Sequence, residues 1–493
     1  MEIKLLNKEL PVWLEEEPYY SRCQVSMDAV IPDSREDAAR VLWSQGGLLL
    51  KGRDAAAHKL SVTGEVWVSV LYQTESGRLD TIRLRKEYDV GFELEEPDPE
   101  APPLISCRLI GLEGKLLNPR KLSVSADIQT LMLPFRRGSL VLDAALPEDE
   151  EAGIHLLKET GEGLALETVR EKSFTVREQL QPQGDTALPH SIAGESLSIS
   201  NLETESLGTR SIVKGELELR IWGLDESEVP VSLRYRLPFS QLVETGDENA
   251  DSILAHAEPS SVYLDWVEGI AGERSLDAEI HGVLQIRCFS KRSVCSVIDA
   301  YSSRMPSSPI CEKRTILRSL ERSTAVLSAE ESFPLPDDLA ELLASEAKLG
   351  PLESDREHVN QPVTMDLLYR DTDGKIGAFR RSLHLRGDPL EASSRPLAVR
   401  LQSCEASMEG GKLKLNGSAE VLLEQETKDQ IEAVSAVELN EDAEWNPAEL
   451  PALSLVFPAN ESLWELAKEY RSSVEAIKAC NPEGSKMLLI PAE

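Results

Sequence analysis

The heptapeptide Leu122-Ser123-Val124-Ser125-Ala126-Asp127-Ile128 alternates apolar and polar side chains, and residues 413–419 repeat the pattern as Leu-Lys-Leu-Asn-Gly-Ser-Ala. A period of two is typical of a β-strand with one buried face and one exposed face. Short polar turns separate the alternating segments, as in antiparallel sheets. The sequence therefore predicts a mainly β protein built from small, sandwich-like domains.

Similar segments recur at a domain-sized interval. Residues 61–72, 212–223 and 358–369 align, with Gly64 and Gly215 separated by 151 positions and Gly215 and Gln361 by 146. Each segment precedes a turn, a returning strand, an acidic or Pro-rich loop and a second hairpin. The period is too long for a solenoid repeat. We expect three tandem β-rich repeat domains, at residues 1–146, 170–303 and 312–440.

Two of these units share an entry segment. Pro32-Asp33 precedes residues 36–43, and Pro336-Asp337 precedes residues 339–343. We interpret both as an extended strand, a turn and a short helix.

Residues 453–493 have a different pattern. An extended run, Leu455-Val456-Phe457, is followed by a capping box at Ser462-Leu463-Trp464-Glu465 and by an apolar stripe at helical spacing. Ser473 begins a second helix, and Pro482 ends it because proline cannot continue a helix. A strand at 487–490 closes the segment. The order strand, helix, helix, strand predicts a small fourth, α+β domain (βααβ).

This segment resembles a LysM module. The residues that carry the resemblance are Val456-Phe457, 460–470, Val474-Glu475-Ala476-Ile477, Asn481-Pro482 and Leu489-Ile490-Pro491. LysM modules bind N-acetylglucosamine polymers through the loops after the first strand and after the second helix. Here Asn460-Glu461-Ser462 stands where Gly-Asp-Thr is usual, and the second loop is short.

The resemblance implies a partner- or ligand-binding set on those two loops and on the first helix. Trp464 should lie at the edge of the apolar stripe, partly exposed, where aromatic side chains often anchor partners. The predicted binding residues are Asn460, Glu461, Ser462, Trp464, Lys468, Pro482, Glu483 and Gly484.

Charge and composition limit the partners and the cellular compartment that we expect for the protein. The chain of 493 residues has 52 Lys and Arg against 86 Asp and Glu, a formal charge of −34. Such a charge disfavours nucleic acid and anionic membranes, although a solvated acidic surface also explains it. No apolar run approaches the ~20 residues of a transmembrane helix, and no secretory signal precedes residue 20. The seven scattered cysteines indicate a reducing compartment.

The sequence shows no catalytic or metal-binding pattern. The seven histidines lack metal-ligand spacing, and no phosphate-binding glycine loop occurs. Asp371-Thr372-Asp373-Gly374 faintly matches a calcium loop, but its twelfth position is Ser382, so we expect a hairpin turn. We therefore expect a protein that is not an enzyme and has no cofactor or metal. A hydrolase hidden in the repeats would instead show a deep polar pocket with perturbed carboxylates.

The repeats followed by a LysM-like segment resemble spore-coat morphogenetic proteins with SPOCS domains. The matching residues are Val30-Ile31-Pro32-Asp33, Gly64-Glu65-Val66, Val70-Leu71-Tyr72 and Leu237-Pro238-Phe239, whereas the third unit departs with Gln361-Pro362. The resemblance implies a scaffold in the mother-cell cytoplasm, at the forespore surface. Its partners would be the coat's basement-layer ATPase and other coat proteins. The alternative is a peptidoglycan-binding protein of the spore cortex or cell wall.

Overall fold

The computed structural model describes residues 1–56, 58–94, 98, 100–147, 153–182, 188–226, 228–246, 250–268, 274–355, 358–440, 443, 451–457, 461–482 and 485–492. The prediction of a mainly β protein is confirmed, because strands dominate and the two helices are short. Neither helix has the length and apolar character needed to cross a membrane.

Twenty-four strands and two helices occur in the described residues. The strands that precede and form the first unit are β1 (Glu2–Lys4), β2 (Leu6–Glu15), β3 (Tyr19–Val30), β4 (Ala38–Ala56), β5 (Lys59–Thr74), β6 (Leu79–Glu93), β7 (Leu104–Asn118), β8 (Lys121–Leu133) and β9 (Phe135–Ala145). The second unit comprises β10 (Ile154–Leu180), β11 (Ser191–Leu207), β12 (Arg210–Leu224), β13 (Pro230–Glu244), β14 (Ser252–Glu268) and β15 (Arg274–Ser302).

The third unit comprises β16 (Ser307–Pro334), β17 (Leu339–Leu349), β18 (Glu353–Ser354), β19 (Val359–Asp371), β20 (Ile376–Gly387), β21 (Ser394–Glu409) and β22 (Lys412–Leu439). The C-terminal segment comprises β23 (Leu453–Val456), α1 (Leu463–Glu469), α2 (Val474–Cys480) and β24 (Leu488–Pro491).

One strand order recurs in the three units. Six strands make up each repeat, counted from β3, β10 and β16, with the two-residue strand β18 left out. In the first unit, the second, third and fourth strands form one sheet (β4-β5-β6), and the first, sixth and fifth form another (β3-β8-β7). The second unit has β11-β12-β13 and β10-β15-β14, and the third has β17-β19-β20 and β16-β22-β21, which one pair, Ser328 opposite Arg386, links at β16 and β20. All of these pairings are antiparallel. The three units therefore share one topology.

The two sheets of each unit enclose a separate apolar core. Along β8, the side chains of Leu122, Val124, Ala126 and Ile128 are fully buried, and the polar residues between them face outward. The alternation in the sequence thus corresponds to one inward face and one outward face of the strand. Burial of these side chains stabilises each sandwich by about 25 cal/mol per Å² of apolar surface removed from water.

The two predicted entry helices are wrong. Residues 36–43 and 339–343 lie at the beginnings of β4 and β17. Each strand has two β-bulges near its start, at Ala38/Arg40 and Val41/Trp43 in β4 and at Leu339/Glu341 and Leu342/Ala344 in β17. A bulge adds a residue and resets the alternation. The apolar residues then recur at intervals of three and four, which imitates a helix.

A cross-strand pair explains where the third unit departs from the repeat. Gly64 lies opposite Tyr88, and Gly215 lies opposite Phe239. In both pairs the aromatic ring occupies the space where a Cβ would stand. The third unit has Gln361 opposite the smaller Leu385 instead. The fully buried amide of Gln361 donates to the carbonyl oxygens of Gly350 and Pro362, each at 2.9 Å.

Three long antiparallel ribbons extend beyond the sandwiches. They are β2 with β9, the N-terminal half of β10 with the C-terminal half of β15, and the corresponding halves of β16 and β22. Strand β1 pairs with β22. We call these ribbons the stem. Its apolar core contains residues from all three ribbons, among them Ala144, Val297 and Val437.

A buried ionic cluster joins the three units where the stem begins. The guanidinium of Arg287, 1% exposed, donates to the carboxylates of Glu15 and Glu424. Arg395 donates to Glu15 at 2.9 Å and to Glu424 at 2.8 Å, and Arg322 donates to Glu424 at 2.6 Å. Burial by itself raises the pKa of the Glu424 carboxyl, but Arg287 and then Arg322 hold that pKa far below its ordinary value.

Candidate functional site

The C-terminal helices begin where the sequence predicts. The Ser462 hydroxyl accepts from the Glu465 amide at 3.2 Å, and the Glu465 carboxylate accepts from the Ser462 amide at 2.7 Å. The capping box therefore forms, and it satisfies amides that have no partner within the helix. Ser473 caps α2 by accepting from the Ala476 amide at 3.1 Å.

Asn481 fastens the end of α2 to the last strand. Its side-chain amide donates to the carbonyl oxygens of Ile477 and Leu489, each at 2.7 Å, and its side-chain oxygen accepts from the Leu489 amide at 2.8 Å. Strands β23 and β24 pair antiparallel, with Leu455 opposite Leu489. The segment therefore has the expected order strand, helix, helix, strand. We call residues 453–492 the head.

The core of the head includes a residue of the stem. Leu466, Ala467, Ile477, Leu488 and Ile490 are buried in one cluster with Tyr301 of β15. The Tyr301 hydroxyl donates to the carbonyl oxygen of Ser472 at 2.7 Å. Because so short a segment buries little apolar surface by itself, the stem side chain adds to the core. The head is therefore seated on the stem.

Two of the predicted binding residues contact the stem. We call the contact of Trp464 and Lys468 with Asp299 the seat. The indole N–H of Trp464 donates to Asp299 at 2.8 Å, and the Lys468 ammonium donates to both oxygens of the same carboxylate at 2.8 and 2.7 Å. The rings of Trp464 and Tyr301 pack in a T-shaped arrangement, with 4.8 Å between the ring centroids. Trp464 is half-buried, which agrees with its place at the edge of the helical stripe.

The charge on Asp299 is held by these donors. Partial burial by itself raises the pKa of the carboxyl, but the hydrogen bonds from Lys468 and Trp464 outweigh that effect and lower the pKa below its ordinary value. Asp299 therefore remains a carboxylate in the seat at neutral pH.

The other predicted binding residues lie apart from the seat. Ser462 is occupied in the helix cap, and Glu461 and Pro482 are exposed on the head. Asn460, Glu483 and Gly484 lie outside the described residues. The structure thus brings Trp464 and Lys468 together with Asp299, and it leaves Glu461 and Pro482 in solvent.

The sequence reasoning missed the outer face of the two-stranded sheet that β23 and β24 form in the head. Leu453, Leu455 and Phe457 are 55%, 54% and 71% exposed, and Met487 and Leu489 are 41% and 37% exposed. The spacing of 453, 455 and 457 was the available signal, since alternate residues of a strand share one face. A two-stranded sheet buries one face on the helices and leaves the other in water. We call these five residues the outer apolar face.

No group of three or more His, Cys, Asp or Glu side chains in the described part of the chain is arranged to hold a metal ion. The chain matches no protein-family profile, and neither curated proteins nor solved structures show significant similarity to it.

Proposed function

We propose that this protein is a non-enzymatic scaffold of endospore coat assembly whose LysM-like head docks the coat's basement-layer ATPase at the forespore surface. The resemblance of the repeats to SPOCS domains and of the head to LysM modules supports the assignment. The observation that carries the docking role is the outer apolar face. Contiguous exposed apolar surface is typical of protein-binding sites.

The contact between the head and the stem determines which side of the head is free to bind a partner. Trp464 and Lys468 already bind Asp299 of the same chain. A partner that used them would first have to displace the stem. The outer apolar face requires no such displacement, because Leu455 and Phe457 are more than half exposed. It therefore forms the primary contact.

A glycan-binding role has less support from the same geometry. Aromatic side chains commonly stack on sugar rings, and Trp464 is the aromatic residue of the predicted binding set. Its ring already packs against Tyr301, and its N–H is bound to Asp299. We therefore favour a protein partner, located with this chain in the mother-cell cytoplasm.

Binding of the purified full-length chain to the purified basement-layer ATPase tests the proposal. The variants are Leu455→Asp and Phe457→Asp, which place a charge in the apolar contact. The matched control is Val326→Asp, since Val326 is 58% exposed on β16, outside the head. Loss of an apolar anchor at the centre of an interface costs about 2 kcal/mol or more, which corresponds to roughly thirtyfold weaker binding.

Three results contradict the proposal: no binding by the wild-type chain, equal weakening by Val326→Asp, or no weakening by either head variant. Sedimentation of the same chain with purified peptidoglycan tests the glycan alternative. Pelleting that is abolished by Phe457→Asp, without binding to the ATPase, would replace docking with glycan recognition. A fluorescent fusion should surround the forespore during sporulation.

A further inference from the structure

A cavity in the described part of the chain lies where the three units meet. Its volume is about 380 Å³, and residues from each unit line it. Pockets for small ligands typically have volumes of ~300–1,000 Å³ and occur preferentially between domains. The cavity thus has the size and the position of a ligand site.

Each unit places a charged residue in this cavity from the same position of its fifth strand. Arg108 lies opposite Gln129, Glu258 opposite Val283, and Arg400 opposite Glu420. The three cross-strand neighbours on the sixth strand occupy equivalent positions. Each lies seven residues after the first fully buried leucine of its strand, which is Leu122, Leu276 or Leu413. The shared topology therefore brings two arginines and one glutamate to equivalent places in one cavity.

The glutamate already has a partner. Nε2 of His256 lies 3.1 Å from Glu258 Oε1 and 3.1 Å from the carbonyl oxygen of Ile105. His256 also lines the cavity, so this hydrogen bond belongs to its wall.

The two arginines have no carboxylate of their own. Arg108 donates to the neutral side-chain oxygen of Gln129 at 2.8 Å, and no described carboxylate forms an ion pair with it. Burial, together with the nearby Arg22, lowers the pKa of Arg108 to about 10. Arg400 forms neither a hydrogen bond nor an ion pair with the described residues, and burial lowers its pKa although Glu258 and Glu420 oppose the shift.

These arginines differ from Arg287 nearby, which is bound by two carboxylates of the chain. Buried charges are normally paired, because an unpaired charge loses its hydration without compensation. Arg108 and Arg400, which are partly buried and form no ion pair with a described carboxylate, are unusual in a chain of charge −34. Counted formally, the two arginines and one glutamate give this part of the cavity an excess of one positive charge.

The remainder of the wall combines aliphatic and polar side chains. Each unit contributes at least two aliphatic side chains, among them Leu48 and Leu109, Leu197 and Ile199, and Leu352 and Leu397. An apolar wall with a few convergent polar groups is the usual composition of a small-molecule site.

We propose that the cavity binds a small organic anion, with its carboxylate or phosphate head held by Arg108 and Arg400 and its apolar body lying against the aliphatic wall. Arginine suits such heads because its planar guanidinium donates two parallel hydrogen bonds to them. The inference does not depend on the docking function, since the cavity lies in the repeats and the outer apolar face lies on the head.

Calorimetric titration of the full-length chain tests the site with matched eight-carbon probes. Octanoate and octyl phosphate carry the anionic heads, octanol has the same body without charge, and octylammonium has the opposite charge. We expect at least one anionic probe to bind about tenfold or more tightly than octanol, since a hydrogen bond to a charged group contributes ~1.5–3 kcal/mol. The preferred anion identifies the head group, and octylammonium should bind most weakly.

Arg108→Gln and Arg400→Gln should each weaken binding of the preferred anion about tenfold or more while affecting octanol little. The control is Arg210→Gln, because Arg210 lies on the outside of the second unit, where it forms an exposed ion pair with Glu244. Equal affinity for octanol and the anions would overturn the proposal, as would no binding of either anion. The comparison among probes needs only the wild-type chain, so it stands even if a variant fails to fold.

Discussion

The indole N–H of Trp464 in the head donates to the carboxylate of Asp299 in the stem at 2.8 Å, and the same carboxylate binds Lys468. Trp464 and Asp299 are 165 positions apart in the chain. The contact fixes the orientation of the head on the body and leaves its outer apolar face in solvent.

Asp299→Ala should loosen the head without unfolding the repeats. The substitution removes the acceptor of Trp464 and Lys468, and we expect a loss of about 1–2 kcal/mol for local opening of the head. Most of it should come from the indole hydrogen bond, since Lys468 is 44% exposed and its ion pair is screened by water. Faster hydrogen exchange in α1 (Leu463–Glu469) would show the change. Asp277→Ala, at an exposed position of the same strand, is the control; unchanged exchange in α1 of Asp299→Ala would contradict the expectation.

Glu424→Gln should destabilise the junction of the three units strongly. Glu424 is fully buried and accepts from Arg287, Arg322 and Arg395. Removal of one partner from a buried ionic cluster leaves charge uncompensated and costs about 3–5 kcal/mol. Urea unfolding measures the loss. Glu432→Gln, at an exposed position of the same strand, should remain within about 0.5 kcal/mol of the wild type. A loss in Glu424→Gln no larger than that of the control would show that the cluster contributes little.

The same cluster predicts how stability depends on pH. The arginines lower the pKa of both Glu15 and Glu424 in the folded protein from the ordinary value of 4.5, even though burial opposes them. A carboxyl whose pKa is lower in the folded state stabilises the fold above its unfolded pKa and loses that contribution as the pH falls. The difference in unfolding free energy between wild type and Glu424→Gln should therefore be full near neutrality and shrink below pH 4.5. A constant difference from pH 7 to pH 3 would refute this.

Gly215→Ala should destabilise the second unit, because the added Cβ would lie 2.6 Å from the ring of Phe239. Overpacking of this kind costs about 1–3 kcal/mol. The control is Gly52→Ala, where a Cβ meets nothing within 4 Å. Adding Phe239→Leu should recover part of the loss, since the third unit pairs Gln361 with Leu385 at the same place. Thermal unfolding of Gly215→Ala, Phe239→Leu, the double variant and the control measures this; a loss in the double variant equal to the sum of the two single losses would refute the packing explanation.

Local pattern predicted the strands well where the register is regular. The alternation at residues 122–128 predicts a strand, and β8 spans Lys121–Leu133 because its inward residues alternate without interruption over that stretch. The same reasoning failed at residues 36–43, where two bulges reset the alternation of β4. A bulge depends on the partner strand, so the pattern of one segment does not reveal it.

Two local features of the head were predicted on similar grounds. The capping box at Ser462 and the half-burial of Trp464 follow from spacing within one helix, and the structure has both. Asp299 was not foreseen, because nothing in its own neighbourhood marks it as the acceptor for a side chain 165 positions away.

The sequence alone determined the β alternation, the recurrence near 150 residues and the starts of the two helices, because each depends on side chains a few positions apart or on a repeated pattern. The tertiary structure decided that the head sits on Asp299 and Tyr301, that Arg287 joins Glu15 to Glu424, and that Arg108 and Arg400 share a cavity. These contacts bring distant residues together, and their energy is the balance of charge pairing against the cost of desolvation in a shared interior, which no single segment of the chain contains.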